Sequence, residues 1–308
     1  MNTSLDAMAA ELEATGRYRV LRRLDPWTGH SETPSEPTFT GLIVDVETPG
    51  TDPAHDEVIE LGMLKFEYGA SGRIHRAIDT FSQFHRPCRP IPPEVTRLTG
   101  ISDGDIAGHQ IDDAAAQAFA ADATLVIAHY ATFDRPMCER RWPIFAQKDW
   151  ACSCTQIPWR AEGHEGTKLS YLLLDYGYFY AGHRAISDCQ AVLRLLAATL
   201  RVSGRLSLSC LLEAVRQSTV RIWAHGSPME ANALLKARRY RWSGAQRSWY
   251  VDLDDDQLEA ELSYLDERVF RRTARNLSVS RITAADRFSA RASPDIYVGK
   301  HLNPYTRP

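Results

Sequence analysis

Eight residues, Gly41-Leu42-Ile43-Val44-Asp45-Val46-Glu47-Thr48, restrict the fold of this chain more than any other stretch. They begin as an apolar run of strand length and end in two carboxylates placed two residues apart. Side chains alternate across a strand, so Asp45 and Glu47 share one side while Val44 and Val46 take the other. Two negative charges on one face of a central strand repel each other unless something positive lies between them. A divalent cation answers that need, because hard cations take carboxylate oxygens and lower the pKa of a bound water. The competing reading is a strand end whose acids are simply solvated, and the residues downstream bear on the choice.

After a turn over Thr48 to Pro53, Val58 to Phe66 alternates as a second strand and Arg73 to Phe84 supplies a third. Their hairpin spacing predicts antiparallel pairing. Helical segments are expected at Pro93 to Thr99 and Asp112 to Ala121. Thr124-Leu125-Val126-Ile127-Ala128-His129 is short and almost wholly apolar, the pattern of a strand buried on both faces. It leads into Tyr130-Ala131-Thr132-Phe133-Asp134 and a helix through Cys138, Arg141 and Trp142. Asp134 thus lies near a helix start, where an acid also reads as a cap. Trp150 to Gln156 is expected to be a further strand and Lys168 to Tyr176 a helix. A long helix then starts near Ala185, with Asp188 among Ile186, Cys189 and Val192 on or beside its buried face. An unpaired charge there is costly. His183 precedes this helix in a loop, and by itself would read as structural.

Together Asp45, Glu47, Asp134, His183 and Asp188 make four acids and a histidine, each at an element edge. Converging in one cleft, four carboxylates bind two divalent ions roughly 3.5 to 4 Å apart, with a neutral imidazole beside them to deprotonate water. That is equipment for in-line attack on a phosphodiester.

The order and wording of these motifs resemble the DEDDh family of 3′→5′ exonucleases, which includes the proofreading subunit of bacterial replicative polymerases. Asp45-Val46-Glu47-Thr48 matches the family's Asp-x-Glu-Thr after an apolar strand. His129-Tyr130-Ala131-Thr132-Phe133-Asp134 matches its His-Asn-x-x-Phe-Asp, with Tyr130 in place of the asparagine. His183 and Asp188 match its final histidine and aspartate. The stretch from Arg89 to Ser102 looks like the loop and helix that stack on the terminal nucleotide. The resemblance covers roughly residues 40 to 200 and implies an α/β, ribonuclease H-like fold: a mixed five-stranded sheet flanked by helices. It implies Asp45, Glu47, Asp134 and Asp188 as ligands of two Mg²⁺ (or Mn²⁺) ions and His183 as general base. Thr48, Leu98 and Thr99, with Tyr130 and Phe133, would contact the substrate. The sister group carries a tyrosine four residues before its last aspartate; that position is Arg184, which points away from the tyrosine variant.

Outside that region the chain says less about chemistry. Residues 1 to 38 read as a helical extension and a linker, and residues 39 to 215 as the exonuclease domain. Residues 216 to 275 read as a small α+β domain and residues 276 to 308 as a polar tail. A hairpin at Tyr240 to Val251, turning at Ser243 to Gln246, concentrates Lys236, Arg238, Arg239, Arg241 and Arg247 around Trp242 and Trp249. Cations interleaved with aromatics suit single-stranded nucleic acid. Equally, the tryptophans would form the core that a domain of about 60 residues needs, with the arginines as its solvated rim. The acidic run Asp252 to Asp256 complements the start of a helix through Leu258, Leu262 and Leu265.

Net charge is −3, from 36 basic and 39 acidic residues among 308. A polyanionic partner must therefore be held by local patches or metals rather than by a bulk positive field. Of six cysteines only Cys152 and Cys154 are close together. Without a second ligand pair, reduced thiols rather than a zinc site are expected. The amphipathic, acid-bearing N-terminus and the lack of a long apolar run predict a soluble, cytoplasmic protein with no membrane partner. The expected function is release of nucleoside monophosphates from the 3′ end of DNA, single-stranded above all, or of RNA, in company with a polymerase or repair partner. The rival is a nucleic-acid-binding or polymerase-docking protein that uses the exonuclease fold as a scaffold.

Overall fold

The computed structural model divides into two units, Met1–Ala214 and Val215–Pro308, and describes residues 3–27, 29, 34–244, 246–271, 277–291 and 296–298. The first unit opens with α1 (Thr3–Ala14) and the short β1 (Arg22–Arg23), then enters the acid-tipped strand, β2 (Thr38–Glu47). Leu42, Ile43, Val44 and Val46 are all buried, as a strand covered on both faces requires. β2 pairs antiparallel with β3 (Glu60–Gly69), from Thr38 opposite Gly69 to Glu47 opposite Glu60, and β3 with β4 (Ile74–Phe84).

Two helices follow, α2 (Pro93–Thr99) and α3 (Asp113–Ala120), the second capped by Asp112, whose carboxylate accepts the Ala115 N–H at 3.0 Å. The chain then returns as β5 (Leu125–Ala128), parallel to β2, and runs through α4 (Ala131–Arg141) into β6 (Asp149–Cys152), parallel to β5. The strand expected to reach Gln156 stops at Cys152. There the Gln156 side chain folds back to accept the Cys152 N–H at 2.8 Å, closing a turn. Next come α5 (Leu169–Asp175), β7 (Tyr178–Phe179) paired with β1, α6 (Ala185–Leu196) and α7 (Ser207–Arg216). The order β4-β3-β2-β5-β6 is a mixed five-stranded sheet with α4 and α6 packed on β2, the ribonuclease H-like arrangement. Among the described residues no helix is long and apolar enough to cross a membrane.

The second unit is an antiparallel sheet built from β8 (Thr219–Ala224), β9 (Arg241–Ser243), β10 (Ser248–Leu253), β11 (Leu277–Ile282) and β12 (Ile296–Val298), in the order β12-β11-β8-β10-β9. Alternate residues Val220, Ile222, Trp249, Val251 and Val279 face a core shared with Leu235 of α8 (Asn232–Ala237) and Leu258 of α9 (Leu258–Tyr264). The expected polar tail is corrected here, because Leu277 to Ile282 forms a strand paired with β8. Its serines hid it: Ser278 and Ser280 are buried yet read as loop residues, while Leu277 and Val279 face the core and Ile282 is buried on the opposite side. Of that expected tail, residues 276, 292–295 and 299–308 lie outside the described residues.

Candidate active site

Register places the acids. Along β2, Asp45 stands opposite Gly62 of β3 and Glu47 opposite Glu60. A β-carbon on Gly62 would lie 2.5 Å from the Ala185 carbonyl carbon and 2.6 Å from the Ile186 nitrogen. The bare glycine therefore lets the first turn of α6 rest on the sheet beside Asp45. Asp188, in that turn, reaches the strand acids: carboxylate oxygens of Asp45, Glu47 and Asp188 all lie within 4.8 Å of one another.

Asp134 falls outside this trio. The pairing of β2 with β5 ends at Ile43, which leaves the outer edge of β2 open. Asp134, buried in the first turn of α4, fills that gap: its Oδ1 accepts the Val46 N–H at 3.3 Å, between the two strand acids.

The electrostatic result is severe crowding. Burial above all, then the charges of Asp134, Asp188 and Glu47, push the Asp45 carboxyl well above its ordinary range. Burial, with Asp188, Glu60 and Asp134, raises Glu47 to about 8. Burial takes Asp134 to about 7, against hydrogen bonds that pull it down. Asp188 is raised by burial too, opposed by hydrogen bonds from Tyr180 and Arg184 and by the nearby His183. Each acid's burial and neighbours disfavour its charged form, and positive charge placed among them would reverse those shifts.

His183 sits in the turn before α6 with φ of 64°, a left-handed conformation costing a non-glycine residue about 1 kcal/mol. The turn is held by Asp188, whose Oδ2 accepts the Arg184 N–H at 3.1 Å. Three supporting residues escaped the sequence reading. Glu60, wholly buried, accepts from the Arg184 guanidinium at 3.3 Å and from the Ala185 N–H at 3.2 Å. It thus supplies an anion to the N-terminus of α6. Gly62 is the seat described above. Tyr180 donates its hydroxyl to Asp188 Oδ1 at 2.6 Å. So although Arg184 occupies the sister group's tyrosine position, a tyrosine eight residues before the aspartate reaches it by way of the loop. Cross-strand register signals Glu60, as the partner of Glu47; nothing local signals Tyr180.

His129 is a structural pin. Its Nε2 lies 2.7 Å from the Thr167 carbonyl, which only accepts, so Nε2 carries the proton and Nδ1 receives the Ser153 hydroxyl at 2.9 Å. Burial lowers its pKa to about 4 and keeps it neutral.

Residues 42–196, half of the chain, match the profile of the RNase_T family, described as exonuclease. The chain belongs to the RNase_T exonuclease family. Its motif order is that of the DEDDh-type 3′→5′ exonucleases, and it resembles the polymerase III proofreading subunit. This exonuclease is 32% identical over 109 residues to the PolC-type DNA polymerase III of Caldanaerobacter subterraneus subsp. tengcongensis, across 35% of this chain and 7% of that protein. It is 36% identical over 98 residues to the Bacillus cereus PolC-type enzyme, across 31% of this chain and 6% of that one. The exonuclease thus spans under a tenth of the length of these curated relatives. Among solved structures, E. coli exonuclease I in its zinc-bound complex with single-stranded DNA aligns at 14% identity and a TM-score of 0.48, over 83% of this chain and 74% of that one. Exonuclease X in complex with 5′-overhanging duplex DNA aligns at 20% and 0.43, over 56% and 99%.

The other expected contact residues are dispersed in character. Leu98 and Tyr130 are exposed and Phe133 is half-buried. Thr48 and Thr99 are buried with their hydroxyls committed, Thr48 to the Gly50 carbonyl, Thr99 to the Val95 carbonyl and the Ile101 N–H. In the second unit of the exonuclease the cationic patch is smaller than its sequence suggested. Arg238 forms an ion pair with Glu261 and stacks on Tyr264; Arg241 pairs with Asp252 and lies over Tyr250. Trp249 belongs to the core, while Trp242 is 55% exposed.

Proposed function

We propose that this exonuclease removes nucleoside monophosphates from the 3′ end of DNA, single strands before duplexes, by a two-metal reaction in which His183 is the general base. The observation that carries this reading is the meeting of Asp45, Glu47 and Asp188 oxygens within 4.8 Å, in the turn that also presents His183. The donor set fits hard divalent cations: all oxygen, three carboxylates, raised pKa values that a counter-charge would reverse. Asp45, Glu47 and Asp188 would hold the ions directly, and Asp134 would complete the set by turning its second oxygen toward them. Bound Mg²⁺ or Mn²⁺ supplies positive charge for the phosphate and makes water more acidic.

The chain's own groups do the remaining work. His183 takes the proton from the attacking water; Glu60 and Arg184 fix the turn that aims it. Tyr180 orients Asp188. Leu98 and Tyr130, exposed and apolar-faced, stack against the terminal base, with Phe133, Thr48 and Thr99 shaping the wall behind them. Because the relatives are replicative polymerases, replication or repair, alongside a polymerase partner, is the setting we infer.

The test is degradation of matched 5′-labelled DNA and RNA, single- and double-stranded, with Mg²⁺ or Mn²⁺. We expect 3′ shortening of single-stranded DNA, near-complete loss in Asp45→Ala and Asp188→Ala, and roughly 10²–10⁴-fold slower turnover in His183→Ala, the usual worth of a general base. A purified, folded protein that shortens none of these strands refutes the proposal.

A further inference from the structure

In the second unit α8 and α9 cover the inner face of the sheet through Val220, Ile222, Val251 and Leu235. At the β9 edge a cavity of about 370 Å³ opens beside the sheet. Its walls include Trp242, Trp249, Met229, Asn232, Ser227 and Arg247, and among the described residues no acid lines it. Trp242 and Trp249 pair directly across the strands and meet edge to face, ring centroids 5.7 Å apart at 69°. The Trp249 ring is buried, but Trp242 keeps 55% of its surface and Met229 82%. Large apolar surfaces left open in this way mark a contact site more often than a fold defect.

Two further observations choose the occupant. Trp249 Nε1 donates to Asn232 Oδ1 at 3.0 Å, which orients the amide and leaves its NH₂ protons for another acceptor. The cations beside the cavity also differ from three arginines near them in the unit. Arg221 and Arg241 share Asp252, and Arg238 is neutralised by Glu261. Arg247, in the cavity wall, and Lys236, whose Nζ lies 5.8 Å from the Trp249 ring, have no carboxylate partner among the described residues. The cavity thus joins a flat exposed ring, an oriented amide donor and unpaired positive charge. A nucleobase is flat and carries carbonyl acceptors, and its phosphate is anionic.

We propose that this cavity holds one unpaired base of a single-stranded nucleic acid, stacked on Trp242, hydrogen-bonded by Asn232, with a flanking phosphate against Arg247 and Lys236. The inference rests on the nuclease reading for its choice of ligand, since a strand-degrading enzyme meets that polymer at every turnover. It adds a second contact, outside the acidic site.

The experiment uses the full-length protein in EDTA, so that no strand is cut, and follows anisotropy of labelled dT₁₅ with wild type, Trp242→Ala, Trp242→Phe and Arg247→Ser. Trp242→Ala should weaken binding roughly tenfold, the size of one base–aromatic stack, and Trp242→Phe should recover most of it. Arg247→Ser should lower the slope of log K against log salt by about one phosphate contact, ~0.7. Should Trp242→Ala fail to fold, as circular dichroism would reveal, the salt slope of Arg247→Ser decides. Unchanged affinity and unchanged salt slope across the folded variants overturn the proposal. The two readings fail separately. Strand shortening by wild type with Mg²⁺, alongside unaltered binding by the variants, removes the cavity site alone. Trp242-dependent binding by a protein that shortens nothing removes the nuclease alone.

Discussion

Replacing Glu47 with glutamine should make the metal-free protein more stable, an unusual result for a change at an active site. Burial and neighbouring acids lift the Glu47 carboxyl from 4.5 to about 8. Its folded-state pKa is raised, so its contribution is intact below about pH 4.5 and is lost as pH climbs toward 8. At about pH 7.5 the group weakens the fold by about 4 kcal/mol relative to an unperturbed carboxyl, at ~1.4 kcal/mol per decade. Gln keeps the shape and removes the charge. It stays a buried polar group, however, so a net gain of about 1–3 kcal/mol is expected. For a unit of this size that corresponds to roughly 3–10 °C in Tm. The assay is thermal melting of wild type and Glu47→Gln in EDTA across about pH 4.5 to 8, and again with millimolar Mg²⁺. In EDTA the variant should melt higher near pH 7.5, and the difference should vanish toward pH 4.5. With Mg²⁺ the order should reverse, because only the wild type gains the binding free energy of the ion. A variant melting at or below wild type in EDTA at pH 7.5 refutes the argument that unneutralised charge strains this site.

Two further substitutions probe how the trio is assembled. Gly62→Ala puts a β-carbon against the backbone at Ala185 and Ile186; melting and single-turnover assays should show a loss of about 1–3 kcal/mol, as for overpacking elsewhere, and at least tenfold slower cleavage, whereas full activity would mean that α6 is not seated on this glycine. Tyr180→Phe removes the hydroxyl that lowers the Asp188 pKa, so protons compete better with metal. Half-activation should then need more Mg²⁺, most of all at low pH, and a Mg²⁺ titration indistinguishable from wild type at every pH would rule this out.

The strand acids were legible because alternation is a local rule: Asp45 and Glu47 had to share a face once Leu42 to Val44 formed a strand. Asp188 was legible for a similar reason, as a charge in the first turn of a helix whose other residues pack inward. What pattern could not supply was the third dimension. Asp134 was placed near the right helix start, but its turn toward the Val46 N–H depends on where the β2–β5 ladder ends. Glu60 requires knowing the register of a ten-residue hairpin, and Tyr180 the path of an irregular loop. In the second unit the positive patch looked unbroken because the acids that quench it, Asp252 and Glu261, lie 11 residues from Arg241 and 23 from Arg238. Composition counts charges along the chain, whereas folding pairs them across it.

The early end of the parallel ladder gives one amide an unusual employer. Val46 N–H would serve the sheet if β5 ran two residues further; instead a carboxylate on α4 receives it. Its exchange with deuterium should therefore follow the docking of that helix and the ionisation of Asp134 rather than the opening of the strand. A single backbone proton, read by NMR, becomes a gauge of whether the cleft is assembled.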